Sequence, residues 1–282
     1  MPQKICRFPG QTACQKRGDL PGISCINRPP VLIWWGEKSF LKEAMEMGEP
    51  LEHWPWAAGL FSPLPPEEKG KITLVERAAR QTLIEKDSFA PPDLFLVVKG
   101  VCELYSAFSL SGDNDLGYRI CANQFIGLSE IVSPVPMKRT AEVVAKTPLC
   151  ALRIRGENFL RWSQVCLPVY NAVIFESLEQ KHRLQTLYRN CSVTDSVLAG
   201  AYYLDYLYGV YLGCYPEGYQ GPVRLWETQS EIAQSIRRDP RSVARIIQKL
   251  REAGCIGVER GKVVITSAQR QTLRRFIEER SL

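Results

Sequence analysis

Apolar positions along this chain follow three successive rhythms, and each predicts a different architecture. Between about residues 70 and 155 the apolar runs are short: "LFLVVKG", "VCELYSAF", "YRICANQFIG", "TAEVVA" and "LCALRI". Turn-forming stretches such as "SLSGDND" and "SPVPMK" separate them. Many short strands with such turns predict an all-β roll or sandwich. From Asn158 to Asn190 the period lengthens. Apolar residues fall at 167, 169, 173, 174, 178, 184 and 187 without a glycine. That predicts one long amphipathic helix with Pro168 in its first turn. "SVTDSVLAGAYYLDYLYGVYLG" predicts a further apolar helix, with Ser192 or Thr194 as its N-cap. Its tyrosines 202, 203, 206, 208 and 211 are expected mostly in the core, hydroxyls reaching the edge.

The third rhythm is the most specific. Thr228-Gln-Ser-Glu231 has the T-x-x-E form of a capping box, followed by Ile232, Ala233 and Ile236. That predicts a short helix. Arg237, Arg238 and Asp239 make the turn after it. Asp239 suits an N-cap, and Pro240 then falls at the first helical position, where its missing N–H costs nothing. The second helix runs to about Ala253, and Gly254 ends it. Val243, Ile246, Ile247 and Leu250 form one stripe of this helix, and Arg241, Arg245 and Lys249 the opposite one. One face packs and the other is cationic, as in a helix-turn-helix that offers its second helix to a major groove. "CIGVERGKVVIT" adds strand, tight turn at Arg260-Gly261, and strand: a wing.

Charge supports this assignment. Residues 224–282 hold 13 Lys/Arg against 7 Asp/Glu, so the whole net charge of +6 falls there and the first 223 residues balance to zero. A locally basic domain is the electrostatic footprint of a nucleic-acid partner. The DNA-binding set expected is Arg237, Arg238, Arg241, Ser242, Arg245, Lys249 and Arg260, with arginine the preferred reader of guanine.

Upstream of the roll the pattern is weaker. Residues 1–30 read as an irregular tail, 31–61 as an apolar segment rich in Trp, and "SPLPPEEKG" as a linker. The domains expected are therefore a Cys- and Trp-containing extension (1–69), a β-roll (70–160), a long dimerisation helix (161–190) and a winged helix-turn-helix (191–282). The fold class is α+β. There is no run of 18 apolar residues, so no membrane span is expected. "MPQKICRFPG" lacks the apolar core of a secretory signal, which predicts a cytoplasmic protein.

The chain has ten cysteines, none in a C-x-x-C pair, so a zinc ribbon or thioredoxin-type site is not expected. Several must serve as small apolar core residues. Cys6, Cys14 and Cys25 lie among Lys4, Arg7, Lys16, Arg17 and Arg28, and positive charge suits thiolates. No nucleophile elbow, P-loop, Rossmann glycine set, zinc triad or histidine-centred acid–base pair is present. An enzyme carrying an accessory DNA-binding-like domain is the competing class, and that absence argues against it.

The order β-roll, long helix, winged helix-turn-helix resembles the Crp/Fnr family of bacterial transcription regulators. "TLIEKDSFAPPDLFLVVKG" resembles the family's entry into a cyclic-nucleotide-binding-like jelly roll. "NQFIGLSEIVSPVPMKRTAEVVAKT" resembles its pocket stretch, and "SVTDSVL" the hinge after the dimer helix. Together they cover about residues 70 to 265. The resemblance implies a homodimer on a near-palindromic operator in double-stranded DNA, RNA polymerase as a partner, no membrane partner, and a small effector bound in the roll. The effector's signal would reach DNA through the long helix.

The departures are informative. The effector pocket implied is Gly127, Glu130, Arg139 and Thr140. Leu128 replaces the acidic residue that holds ribose in cyclic-AMP-responsive members, and Leu187-Tyr188 replaces the polar pair from the dimer helix. Polar groups of cyclic AMP would go unpaired, so cyclic AMP is not expected as the ligand. Arg139 is left to hold another anion or to structure the roll. Arg241 stands where the family carries a Glu that accepts from cytosine, so the half-site should differ at that base. Some members hold a 4Fe–4S cluster on three N-terminal cysteines and one from the roll, which would fall here on Cys6, Cys14, Cys25 and Cys150. A thiol switch, a small organic anion in the roll, haem (His53 and His182 are the two histidines), or purely structural cysteines are the alternatives.

Overall fold

The strand rhythm folds as its alternation dictates. A computed structural model describes residues 51, 53–88, 92–106, 118–133, 135, 137–215 and 218–281. Eight short strands form two four-stranded antiparallel sheets. These are β1 (Thr73–Arg77), β2 (Thr82–Ile84), β3 (Asp93–Lys99), β4 (Val101–Ser106), β5 (Tyr118–Cys121), β6 (Gln124–Ile126), β7 (Ala141–Ala145) and β8 (Leu149–Arg155). One sheet runs β1-β8-β3-β6 and the other β2-β7-β4-β5. Leu94, Leu96 and Val98 of β3 enter one core, with Leu152 and Ile154 of β8. Phe95 and Val97 point the other way, between the sheets. Period-2 alternation thus serves two cores from one central strand.

Two short helices precede the roll: α1 (Pro55–Phe61) and α2 (Pro66–Lys69). They correct the reading of "SPLPPEEKG" as a linker. Leu64 is buried and Pro66 starts α2 at its first position. The Glu68 carboxylate is buried too, accepting from Lys71 Nζ at 2.8 Å, Arg161 Nη2 at 2.8 Å and Trp162 Nε1 at 3.1 Å. Burial pushes that carboxyl up, but the three donors overcome it and hold it at about 2. Trp54, Trp56 and Phe61 share the core of β3, so described residues before position 70 belong to the roll.

The long helix is also corrected. A five-residue helix, α3 (Leu128–Val132), leaves the roll after β6. After β8 come α4 (Gly156–Val165) and α5 (Leu167–Cys191), broken at Cys166 with φ −153° and ψ 70°. The cause is Pro168: inside a continuous helix its ring would strike the carbonyl four residues back. Restarting the helix at Leu167 places the proline in a first turn, where it is tolerated. Val169, Val173 and Leu187 of the apolar stripe are buried, whereas Leu167, Phe175 and Leu178 are exposed, Phe175 by 68% and Leu178 by 58%.

The C-terminal part contains α6 (Ser196–Leu212), β9 (Val223–Arg224), α7 (Gln229–Ser235), α8 (Pro240–Glu252), β10 (Gly257–Glu259), β11 (Lys262–Ile265) and α9 (Ser267–Ser281). Asp195 caps α6, accepting from the Val197 and Leu198 N–H groups, where Ser192 or Thr194 was the expectation. Of the five tyrosines, 203, 208 and 211 are buried, and Tyr202 and Tyr206 are half-buried. β9 pairs with β11, making the wing a three-stranded sheet. Neither β9 nor α9 is marked by the hydrophobic rhythm described above. Arg270 and Arg274 of α9 pair with Asp205 at 2.8 and 3.4 Å, and Arg280 pairs with Asp195. Part of the local positive excess is therefore neutralised inside the domain.

Candidate nucleic-acid interface

The turn residues dictate how α8 is presented. Thr228 and Glu231 form the reciprocal capping box of α7, and the chain then turns at Arg237, whose φ is +52°. Asp239 caps α8 by accepting from the Ser242 N–H at 2.9 Å, with Pro240 at the first position. Val243, Ile246, Ile247 and Leu250 are buried against α6 and α7. Gly200 of α6 allows this close approach: a Cβ there would lie 2.5 Å from Ile246 Cγ2. With that face fixed, Arg241, Arg245 and Lys249 are exposed on the opposite one. None of the three has a carboxylate partner among the described residues. Their four-residue spacing sets the three charges about 6 Å apart along the axis.

The remaining members of the expected set divide. Arg237 and Arg260 are exposed, Arg260 (φ +48°) and Gly261 (φ +75°) forming the tight wing turn. Ser242 is occupied in the cap. Arg238 is turned inward and donates to the Val193 carbonyl at 3.1 Å. It ties the turn to the hinge before α6, so its guanidinium is committed away from the cationic face.

The expected effector residues lie together in the roll. Gly127 adopts φ +93°, and a Cβ would meet the Asp93 carbonyl oxygen at 2.5 Å and Arg139 Nη1 at 2.7 Å. Buried Arg139 donates to that Asp93 carbonyl at 2.9 Å and to Glu130 at 3.2 Å. Thr140 is exposed. The guanidinium is thus hydrogen-bonded within the roll. Cys150 sits in the core with its thiol 3.8 Å from Glu76. Burial and the neighbouring Glu76 push that thiol up to about 12, which favours its protonated form. Cys6, Cys14 and Cys25 lie outside the described residues. Among the described residues no group of three or more His, Cys, Asp and Glu is placed to hold a metal ion.

Sequence reasoning missed the bridge between the roll and the winged helix-turn-helix. Arg119 of β5 is 1% exposed and lies between Glu103 of β4 and Glu227, the residue before the α7 cap. Its Nε donates to Glu227 at 3.0 Å, where Tyr211 also donates at 2.7 Å. Tyr206 Oη both accepts from the Arg119 N–H and donates to its carbonyl, each at 2.9 Å. Lys146, beyond β7, pairs with Glu231 of the capping box. Burial raises the Glu231 carboxyl, but Lys146 and Thr228 outweigh that and hold it at about 2. Val101 and Cys121 of the roll join the apolar core beneath α8. The roll therefore touches the helix-turn-helix directly, in addition to the route through α5.

No protein-family model matches the sequence, and no curated protein matches it. Solved structures do. The chain is similar to the c-di-GMP-responsive global regulator CLP of Xanthomonas campestris (TM-score 0.55, 14% identity, 74% of this chain and 99% of that one). It is similar to FixK2 of Bradyrhizobium japonicum (TM-score 0.58, 12% identity, 72% and 96%). A Crp/Fnr-family transcriptional regulator of Thermus thermophilus gives TM-score 0.55 at 16% identity, covering 73% and 98%. No described helix is long and apolar enough to cross a membrane. With its antiparallel roll, long helix and winged helix-turn-helix, the chain has the α+β fold of Crp/Fnr-type transcription regulators.

Proposed function

We propose that the protein is a homodimeric, sequence-specific DNA-binding transcription regulator, gated by a signal received on the roll side of the molecule. The observation that carries this is the face of α8: three cations with no carboxylate partner among the described residues, over a packed apolar stripe, beside a wing turn with Arg260 at its tip. Such a surface fits phosphates and base edges and serves no internal purpose. Duplex DNA should bind tightly at low salt and lose affinity steeply, log K falling linearly with log salt. Folded protein that fails to bind duplex at low salt would refute the regulator.

The dimer reading rests on α5, where Phe175 and Leu178 are exposed one turn apart while Val169, Val173 and Leu187 of the same helix are buried. A second copy would cover them, and paired reading helices match a near-palindromic operator. Leu178→Glu should convert the dimer to monomer in analytical ultracentrifugation and reduce operator affinity by at least tenfold. An unchanged sedimentation coefficient would place the dimer contact elsewhere.

A further inference from the structure

The roll and the DNA-binding domain enclose a cleft of about 640 Å³. That is the size range of small-molecule sites. Each wall contributes one aromatic ring and one guanidinium. Tyr105 and Arg80 come from the roll, Trp226 and Arg224 from the DNA-binding domain. Tyr105 is 37% exposed and Trp226 43% exposed, both large for rings lining a concave surface. Arg80 and Arg224 are exposed and have no carboxylate partner among the described residues. The other cations are engaged: Lys146 with Glu231 and Glu103, and Lys262 with the Trp226 carbonyl at 2.7 Å. Four cations against two carboxylates leave the lining at +2.

We propose that this cleft binds a planar aromatic ring carrying a terminal phosphate, of the size and charge of a nucleoside 5′-monophosphate. A terminal phosphate carries nearly two negative charges at neutral pH, which matches the lining, whereas a cyclic monophosphate carries one. Two free guanidinium forks are the groups that recognise phosphate bidentately. The ring stacks on Trp226 or Tyr105. Arg80 sits in the β1–β2 turn at φ +72°, unusual for a side-chain-bearing residue, with its N–H held by the Ala145 carbonyl at 2.7 Å. The turn thus holds the backbone of this cleft-lining arginine in place. Because both domains supply contacts, an occupant cross-braces them. The binding step stands apart from the regulator reading; its effect on duplex affinity rests on that reading, and linkage makes the effect reciprocal.

The test uses the full chain and guanosine 5′-monophosphate, followed by calorimetry and by tryptophan fluorescence. One site per chain is expected, saturating below millimolar, with cyclic AMP at least tenfold weaker. Arg80→Asn keeps a residue tolerant of positive φ and removes the charge. It and Arg224→Gln should each weaken binding at least tenfold, and Trp226→Ala should abolish the fluorescence change. Absence of saturation at millimolar guanosine 5′-monophosphate would overturn the proposal, as would binding that both arginine variants leave unchanged. So would variants that alter duplex binding alone, which would make the cleft a DNA-backbone contact. Duplex binding by the same preparation separates the two readings. Nucleotide binding without duplex binding sinks the regulator, and the converse sinks the cleft.

Discussion

Replacing Arg119 with methionine should lower the unfolding free energy by about 3 to 5 kcal/mol, read from the urea midpoint at constant slope. The size follows from burial. Arg119 and Glu227 are 1% and 2% exposed, and Glu103 is 8% exposed, so methionine leaves Glu227 without its cation and Glu103 with Lys146 at 3.8 Å, in a desolvated interface. Most of the cost is the unpaired charge left behind, not the worth of the pair. Arg119→Met with Glu227→Gln should therefore recover part of the loss, and the two changes should be non-additive. By contrast, the Arg155–Glu157 pair has side chains 69% and 74% exposed, and such pairs contribute roughly 0 to 1 kcal/mol. A change below about 1 kcal/mol for Arg119→Met would mean that water reaches the bridge. The same variant should also shift duplex affinity, because Glu227 directly precedes the cap of α7 and links the roll to the reading helix.

What was legible in the sequence was local. Asp239-Pro240, the Thr228–Glu231 box and the Val243–Leu250 stripe are complete within a few residues, so capping and periodicity specify them without tertiary information. The Arg260-Gly261 turn is equally local. The bridge is not, since Arg119 and Glu227 are 108 positions apart. Its one signal was the lone arginine in "YRIC", a strand whose four residues are all buried. A charge with apolar neighbours on both sides needs a partner from elsewhere. Pro168 does lie in a first turn, as expected, but the helix it opens begins only at Leu167, so the stretch from Gly156 to Cys191 is two elements. The inward turn of Arg238 was likewise invisible, because the Val193 carbonyl that holds it lies 45 residues away. Of the effector residues, the family resemblance implied that Gly127, Glu130 and Arg139 lie together, yet it does not show that Glu130 and the Asp93 carbonyl already occupy the guanidinium.

Arg245→Ala should cost about 1 to 3 kcal/mol per half-site on a selected operator and much less on random duplex. Position on the helix separates the three cations. In a helix-turn-helix the N-terminal residues of the second helix meet base edges. Arg241 and Arg245 lie in the first two turns after the Asp239 cap, and helical side chains lean toward the N-terminus, bringing both guanidinium groups over that end. Lys249 lies a further turn along, in the last turn of α8. An ammonium there is a point charge suited to phosphate. Lys249→Ala should therefore weaken operator and random duplex alike and reduce the salt slope by about one. In a dimer each substitution acts twice, so Arg245→Ala should lower operator affinity by at least tenfold while its random-duplex curve stays close to that of the unaltered protein. The measurement is fluorescence anisotropy on both duplexes across a salt series. Equal losses on both would reassign Arg245 to the backbone and leave base reading to Arg241 alone, the other exposed guanidinium on this face. Unequal losses would fix the register of α8 in the groove, with the packed stripe turned away from DNA and the wing turn alongside it.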